Sequence, residues 1–214
     1  AYRMGADAEI KELVTNEKQV IFGIRPCDVR SIECMDRVFL EKGYVDCFYA
    51  RKRDNVTIIA ISCPEAGRTC FCDSMGIDPA KAPAADVMLC DAGDFFEVEA
   101  QTEKGKAVVE SWKGLLKESG KAKAEAKTEC TLKVKMTPEL PKKLAGMFED
   151  PVWGEVSKPC IGCATCTYVC PTCYCFDIDS ENAGSEGIKF RCWDSCMFSD
   201  YTRMAGGHNP RPTK

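Results

Sequence analysis

Cys160, Cys163, Cys166 and Cys170 fall at C-x2-C-x2-C-x3-C, with Pro171 directly after them. No other feature restricts the chain as tightly. A close CxxCxxC lets one short loop place three thiolates on three irons of a cube. The fourth cysteine opens the next turn of chain, facing away from that cube, and in two-cluster ferredoxins it ligates the other cluster. Structural zinc sites with four thiolates ordinarily split them into two separated pairs. The expected cofactor is therefore [4Fe–4S], in two or more copies.

The remaining composition narrows the class. Sixteen cysteines among 214 residues would signal disulfide staples in a short secreted chain. Yet the first twenty residues carry charges throughout and hold no apolar stretch of the signal-peptide kind. No apolar run is long enough to span a bilayer. The expectation is a cytoplasmic chain without membrane insertion, whose cysteines serve metal or redox chemistry. A formal charge of −4 argues against a general nucleic-acid-binding face. The single histidine, His208, rules out a Rieske centre and a Cys2His2 finger, each of which needs two. It lies in AGGHNPRP and reads as a solvated loop residue. No CxxCH, Walker-A run or GxGxxG occurs. The chain opens at Ala1 and stops at NPRPTK, and truncation at both ends is expected.

The fold class expected is α/β (α+β overall). A short helix is read at 7–16, with Ile10, Leu13 and Val14 on one face. The apolar run at 19–24 fits a buried strand. Asp28 serves as N-cap for a helix over 29–40, with Val29, Ile32, Met35 and Phe39 at helical spacing. NVTIIAIS at 55–62 is a second buried strand, so strand, helix and strand form a βαβ unit with parallel strands. Further strands at 86–90 and 94–101 are joined by the DAGD turn. The charged, alanine-rich stretch 117–130 suits an exposed helix or a linker. Thr137 and Pro138 open a helix with Leu140, Leu144 and Phe148 on one side, and Asp150 and Pro151 repeat the start signal. Two domains follow. Residues 1–135 form a βαβ-type domain with a mixed sheet, and 136–214 a helical linker and ferredoxin-like 4Fe–4S domain cut short at its carboxyl end.

A second set of thiols emerges from that topology. Cys27 follows the first strand and Cys63 the second, which puts both at the carboxyl edge of a parallel sheet, where open α/β sheets bind ligands. The loop after Cys63 adds Cys70 and Cys72. Cys27 at a helix N-terminus favours its thiolate. Arg25, Arg30 and Arg68 could offset an anionic cluster, and Phe71 and Met75 could shield it. The expectation is a second iron–sulfur site on Cys27, Cys63, Cys70 and Cys72. The alternatives are zinc on the same ligands, or free cysteines used as small hydrophobes. Cys34, Cys47, Cys90 and Cys130 read as structural.

GIRPCDVRSI with CPEAGRTCFCDSMG resembles the amino-terminal half of the iron–sulfur β subunit of sulfhydrogenases, and equally that of the iron–sulfur subunit of anaerobic sulfite reductases. CIGCATCTYVCPTCYCFD with RCWDSCMFSDYTRMAGGHNPRP resembles the first half of the same family's ferredoxin-like domain. The resemblance implies an electron-transfer subunit of a soluble anaerobic complex. It would work between a flavoprotein subunit that handles a nicotinamide nucleotide and a catalytic partner, hydrogenase-like or sulfite-reductase-like. The family carries a second ferredoxin run after HNPR, and this chain ends before it. The fourth ligand of the 160–166 cube then comes from beyond the chain's end or from a local thiol such as Cys196 in WDSC. Cys173, Cys175 and Cys192 are other candidates, and Cys170 serves only if the loop departs from the usual geometry.

The function expected is electron relay without bond chemistry, so the chain is a component of an oxidoreductase rather than a catalyst on its own. Arg191, Trp193 and Tyr168 are candidate tuners or covers of the ferredoxin-type cluster. Two other readings stand beside it. One is a thiol–disulfide or heterodisulfide reductase component using Cys170 and Cys173. The other is a zinc-stabilised interaction module.

Overall fold

A computed structural model describes residues 1–3, 8–13, 16–118 and 128–212. In chain order the elements are β1 (Tyr2–Arg3), β2 (Glu9–Ile10), β3 (Gln19–Ile24), α1 (Pro26–Phe39), α2 (Cys47–Asn55), β4 (Val56–Ile61), β5 (Val87–Asp91), β6 (Phe96–Ala100), α3 (Glu103–Ser111), α4 (Leu140–Gly146), α5 (Val152–Ser157), α6 (Thr165–Val169), β7 (Phe176–Ala183) and β8 (Glu186–Trp193). Single 3-10 turns lie at Cys72–Met75 and Ser199–Thr202. The chain divides into two compact units, Asn16–Leu140 and a second made of Ala1–Thr15 with Pro141–Lys214.

The Asn16–Leu140 unit holds a sheet of order β3-β4-β5-β6. β3, β4 and β5 are parallel, and β6 returns antiparallel to β5. The βαβ unit and the mixed sheet expected from the sequence are both present. α1 packs Val29 against Ile58, Ala60, Ala82, Ala85 and Met88. Ile59, Val87 and Leu89 on the other face meet Val108, Val109 and Trp112 of α3 and its exit. The core therefore lies on both faces of β4 and β5.

Two local expectations are corrected in this unit, and two helices are added. β3 is an edge strand rather than a buried one, with Val20 61% and Phe22 68% exposed. α1 begins at Pro26, which suits the first turn because its missing N–H is unneeded there. Arg25 is thus the N-cap, and Asp28 lies inside the first turn. α2 is invisible to hydrophobic periodicity because it buries none of its residues. It is held instead by its Asp46 cap, by Phe39 stacked on Tyr49 at 4.8 Å, and by Asp36, which accepts from Tyr49 at 2.7 Å and pairs with Arg53 at 3.1 Å. α3 is likewise an addition to the expected elements. Its Thr102 cap accepts from Gly105 N–H at 3.1 Å.

The second unit is built on an antiparallel sheet of order β2-β1-β8-β7. β7 and β8 form a hairpin closed by Gly184 and Ser185, with Gly184 at φ +65°. The expected helix over 7–16 is replaced by β2, which pairs with β1. Ile10 is 90% exposed and Leu13 57%, and Val14 lies outside the described residues. The backbone pairing to β1 outcompetes the weak three-residue apolar stripe. α4 and α5 occupy the two starts read at 137–138 and 150–151, but Phe148 remains 81% exposed. Part of the alanine-rich stretch, 119–127, lies outside the described residues. Among the described residues of this second unit only Ala164 and Ser195 are buried. No described helix is long and apolar enough to cross a membrane.

Candidate metal centres

The ferredoxin-type run begins on the loop between α5 and α6, which holds Cys160 and Cys163, while Cys166 lies in α6 and Cys170 caps its end. Gly162 at φ +69° and Ala164 at φ +57° curl this loop through the left-handed region. An alanine there is costly, and it is one of two buried residues among the described residues of its unit. The curl aims the Gly162 N–H at Cys160 Sγ, 3.4 Å away, which is the N–H···S bond that suits a thiolate. Cys163 and Cys170 are each followed two residues on by threonine. Cys163 Sγ is hydrogen-bonded to Thr165 Oγ1 at 3.3 Å, and Cys170 Sγ to Thr172 Oγ1 at 3.1 Å. These hydroxyls, with the backbone N–H groups beside them, lower both thiols below the usual cysteine value. Cys163 and Cys166 are exposed, and Cys160 and Cys170 half-buried.

A further group of thiols gathers around Cys170. Burial and then Cys170 push Cys173 up to about 11, and Cys196 and Cys175 add to that rise. Burial and a bond to Cys175 likewise raise Tyr201. The segment after β8 is tied onto α6 by the pair Thr167 Oγ1 and Ser195 Oγ at 2.6 Å. Asp194 N–H also donates to the Cys175 carbonyl at 3.0 Å. The β7–β8 hairpin thus returns Cys196 to the CPTCYC loop, a closure with no signal in the local sequence. Arg191 stacks over Phe176 at 4.6 Å within the hairpin. Trp193 and Tyr168 are 59% and 55% exposed, so neither is a core aromatic.

The sheet-edge thiols are assembled by the loops after β3 and β4. Arg25 donates from its guanidinium to the Ser62 carbonyl, tying the two loops together. Cys27 stands on the first turn of α1, but its thiol is raised rather than lowered. Partial burial and then the Asp28 carboxylate outweigh the backbone N–H groups, and Cys63 adds to the rise. The lowering expected from the helix N-terminus is therefore outweighed at Cys27. Cys72 is pushed up to about 11 by burial and then by Cys130, with Cys27 contributing. Cys72 and Cys130 stand 3.4 Å apart, sulfur to sulfur. Cys130, read from the sequence as structural, is 1% exposed and has Cys72 as a neighbour. Cys70 Sγ lies over its own loop, 3.5 Å from where a β-carbon on Gly67 would sit. Arg30 is engaged with Glu33 at 2.7 Å, Arg68 is exposed, and Phe71 and Met75 are 41% and 48% exposed.

Among the described residues, no three His, Cys, Asp or Glu side chains are arranged to hold a single metal ion. A cube puts each thiolate on a different iron. The donor set of the 160–170 run fits such a cube in chemistry: soft thiols, an N–H···S bond and threonine hydroxyls beside two of them.

Residues 159–214 match the 4Fe-4S dicluster domain family. That stretch carries a 4Fe–4S dicluster domain. The domain implies two [4Fe–4S] clusters, which is the cofactor expected from the cysteine run. The chain is similar in sequence to a sulfhydrogenase β subunit. It is 33% identical over 215 aligned residues, 96% of this chain, to sulfhydrogenase 2 subunit beta of Pyrococcus furiosus. It spans 63% of that relative's length. No solved structure matches.

Proposed function

We propose that the chain is the electron-relaying iron–sulfur subunit of an oxidoreductase complex. It would pass electrons between a flavoprotein that handles a nicotinamide nucleotide and a catalytic subunit, hydrogenase-like or sulfite-reductase-like. The observation that carries this reading is the Cys160–Cys170 run on a unit that buries only two described residues. A unit of that size without an apolar core needs another source of folding energy, and bound metal supplies it. The relative is by name a subunit of a sulfhydrogenase, which supports a hydrogenase-like partner.

A [4Fe–4S] cluster supplies reversible one-electron storage. The chain's own residues hold and tune it. Cys160, Cys163 and Cys166 grip one cube, and Cys170 turns toward a second. Cys196, which the hairpin brings beside Cys173, would be a local candidate for the remaining ligand. Gly162 N–H, Thr165 and Thr172 stabilise negative charge on sulfur, which raises the potential. At the sheet edge, Cys27, Cys63 and Cys72 provide thiolates for a further centre, with a fourth drawn from the loops beside them. Exposed Ile161, Tyr168 and Val169 lie between the cysteines of the run and suit a partner's surface.

Anaerobic purification with iron and sulfide quantification tests this reading. About four irons and four sulfides per cluster are expected, with electron paramagnetic signals on reduction. A colourless, iron-free chain would overturn it. A dithiol is the second reading: Cys170 and Cys173 lie in one CPTC turn, where the Cys173 N–H donates to the Cys170 carbonyl at 3.1 Å. Dithiol oxidation of an iron-free preparation, with reduction of a disulfide substrate lost in a Cys170→Ser variant, would establish that reading.

A further inference from the structure

We infer that Cys130 is the fourth thiolate of the sheet-edge centre, in place of Cys70. This rests on the iron–sulfur reading of Cys27, Cys63 and Cys72 and goes further by naming a ligand from a distant part of the chain. Cys130 lies 58 residues beyond Cys72, yet their sulfurs are 3.4 Å apart.

The approach is built rather than incidental. The Thr128 hydroxyl donates to the Cys63 carbonyl. Cys130 N–H donates to Asp73 Oδ2 at 3.2 Å. Lys133 Nζ reaches the same carboxylate at 2.5 Å, and Val134 N–H donates to Ser74 Oγ at 3.1 Å. Four bonds therefore strap residues 128–134 across the carbonyl of one proposed ligand and the two residues that follow another. A strap that served only to cover the edge would not need its single cysteine at the point of closest approach. Cys70, by contrast, lies in the right loop but folds over Gly67, donating its own N–H to the Gly67 carbonyl at 3.0 Å.

The coordination balances simply. Cys72 and Cys130 share a hydrogen in their contact. Bound to a cluster, each sulfur would sit on its own iron, its thiol proton given up to solvent. Cys27 and Cys63 complete four thiolates from three separate loops.

The test compares Cys130→Ala, Cys130→Ser, Cys70→Ala, Cys72→Ala and Cys63→Ala in the full chain, purified anaerobically. Iron, zinc and acid-labile sulfide are counted, and reduced samples are read by electron paramagnetic resonance. Cys130→Ala, Cys72→Ala and Cys63→Ala should each lose one cluster, about four irons per chain, while Cys70→Ala keeps the parental count. Cys130→Ser keeps the size of the side chain. It should melt with the metal-free parent yet show an altered or missing signal when loaded. A structural role alone would shift the metal-free melt and leave the signal intact, which would overturn the assignment. So would a Cys130→Ala protein with parental iron beside depleted Cys72→Ala and Cys63→Ala, or iron loss in Cys70→Ala. Parental iron in all the variants would sink the sheet-edge centre itself. Zinc lost from Cys130→Ala would keep the ligand and overturn the cluster.

Discussion

Asp86 is a buried carboxylate that serves two elements at once. Its Oδ2 accepts from Ile58 N–H at 2.8 Å, and its Oδ1 accepts from the Thr102 hydroxyl at 2.5 Å. Asp86→Ala leaves both donors without a partner in the interior, so a loss of about 2–4 kcal/mol is expected. The urea midpoint reads it, and a change under about 0.5 kcal/mol would show that the carboxylate is dispensable. Gly105 faces the same residue. A β-carbon there would stand 1.9 Å from the Asp86 carbonyl oxygen, which is backbone and cannot step aside. Gly105→Ala should therefore destabilise the protein despite alanine's better helix propensity. A neutral or stabilising result in the same denaturation assay would contradict the close approach of α3 to β5.

α2 is an element held by its edges. The Tyr49 phenol is raised above its ordinary value by burial, then by its bond to Asp36. A raised acid contributes stability that is complete below the unfolded value of 10.0 and is lost as pH climbs through the folded value. Unfolding free energy measured from about pH 8 to 11 should fall on the alkaline side in the parent. Tyr49→Phe should flatten that limb, and an unchanged slope would place the loss elsewhere. The β7–β8 hairpin carries a second prediction. A β-carbon on Gly187 would come within 2.6 Å of the Tyr2 ring and of Asn182. Gly187→Ala should push Tyr2 off β8 and raise hydrogen exchange at residues 1–3, while the hairpin's own ladder stays protected. Unchanged exchange at those residues would mean that Tyr2 has room to move.

The two units differ in what holds them. The Asn16–Leu140 unit has a core on both faces of its sheet, whereas the described residues of the other bury only Ala164 and Ser195. Stripping the clusters with chelator and oxidant should therefore melt Pro141–Lys214 while the sheet unit persists. Limited proteolysis followed by mass spectrometry should show early cleavage within 141–212 and late cleavage within 56–100. Equal susceptibility before and after iron removal would mean that metal does not stabilise the carboxyl-terminal segment.

The chemistry of the 160–170 run, the βαβ order and the position of Cys27 and Cys63 can all be read along the chain. Each depends on short-range spacing: cysteines two and three residues apart, apolar runs of strand length, and a connection that forces parallel strands. α2 and the β7–β8 hairpin cannot be read, because they bury almost nothing and leave no apolar period. The exposure of β3 is hidden for the opposite reason, since an apolar run looks the same at an edge as at the centre of a sheet. Cys130 is hidden most completely. Its meaning depends on a loop closing across 58 residues, and hydrogen bonds to Cys63 and Asp73 close it rather than any neighbour in the chain. Local spacing thus specified which atoms can bind iron, and long-range contacts selected which of them meet.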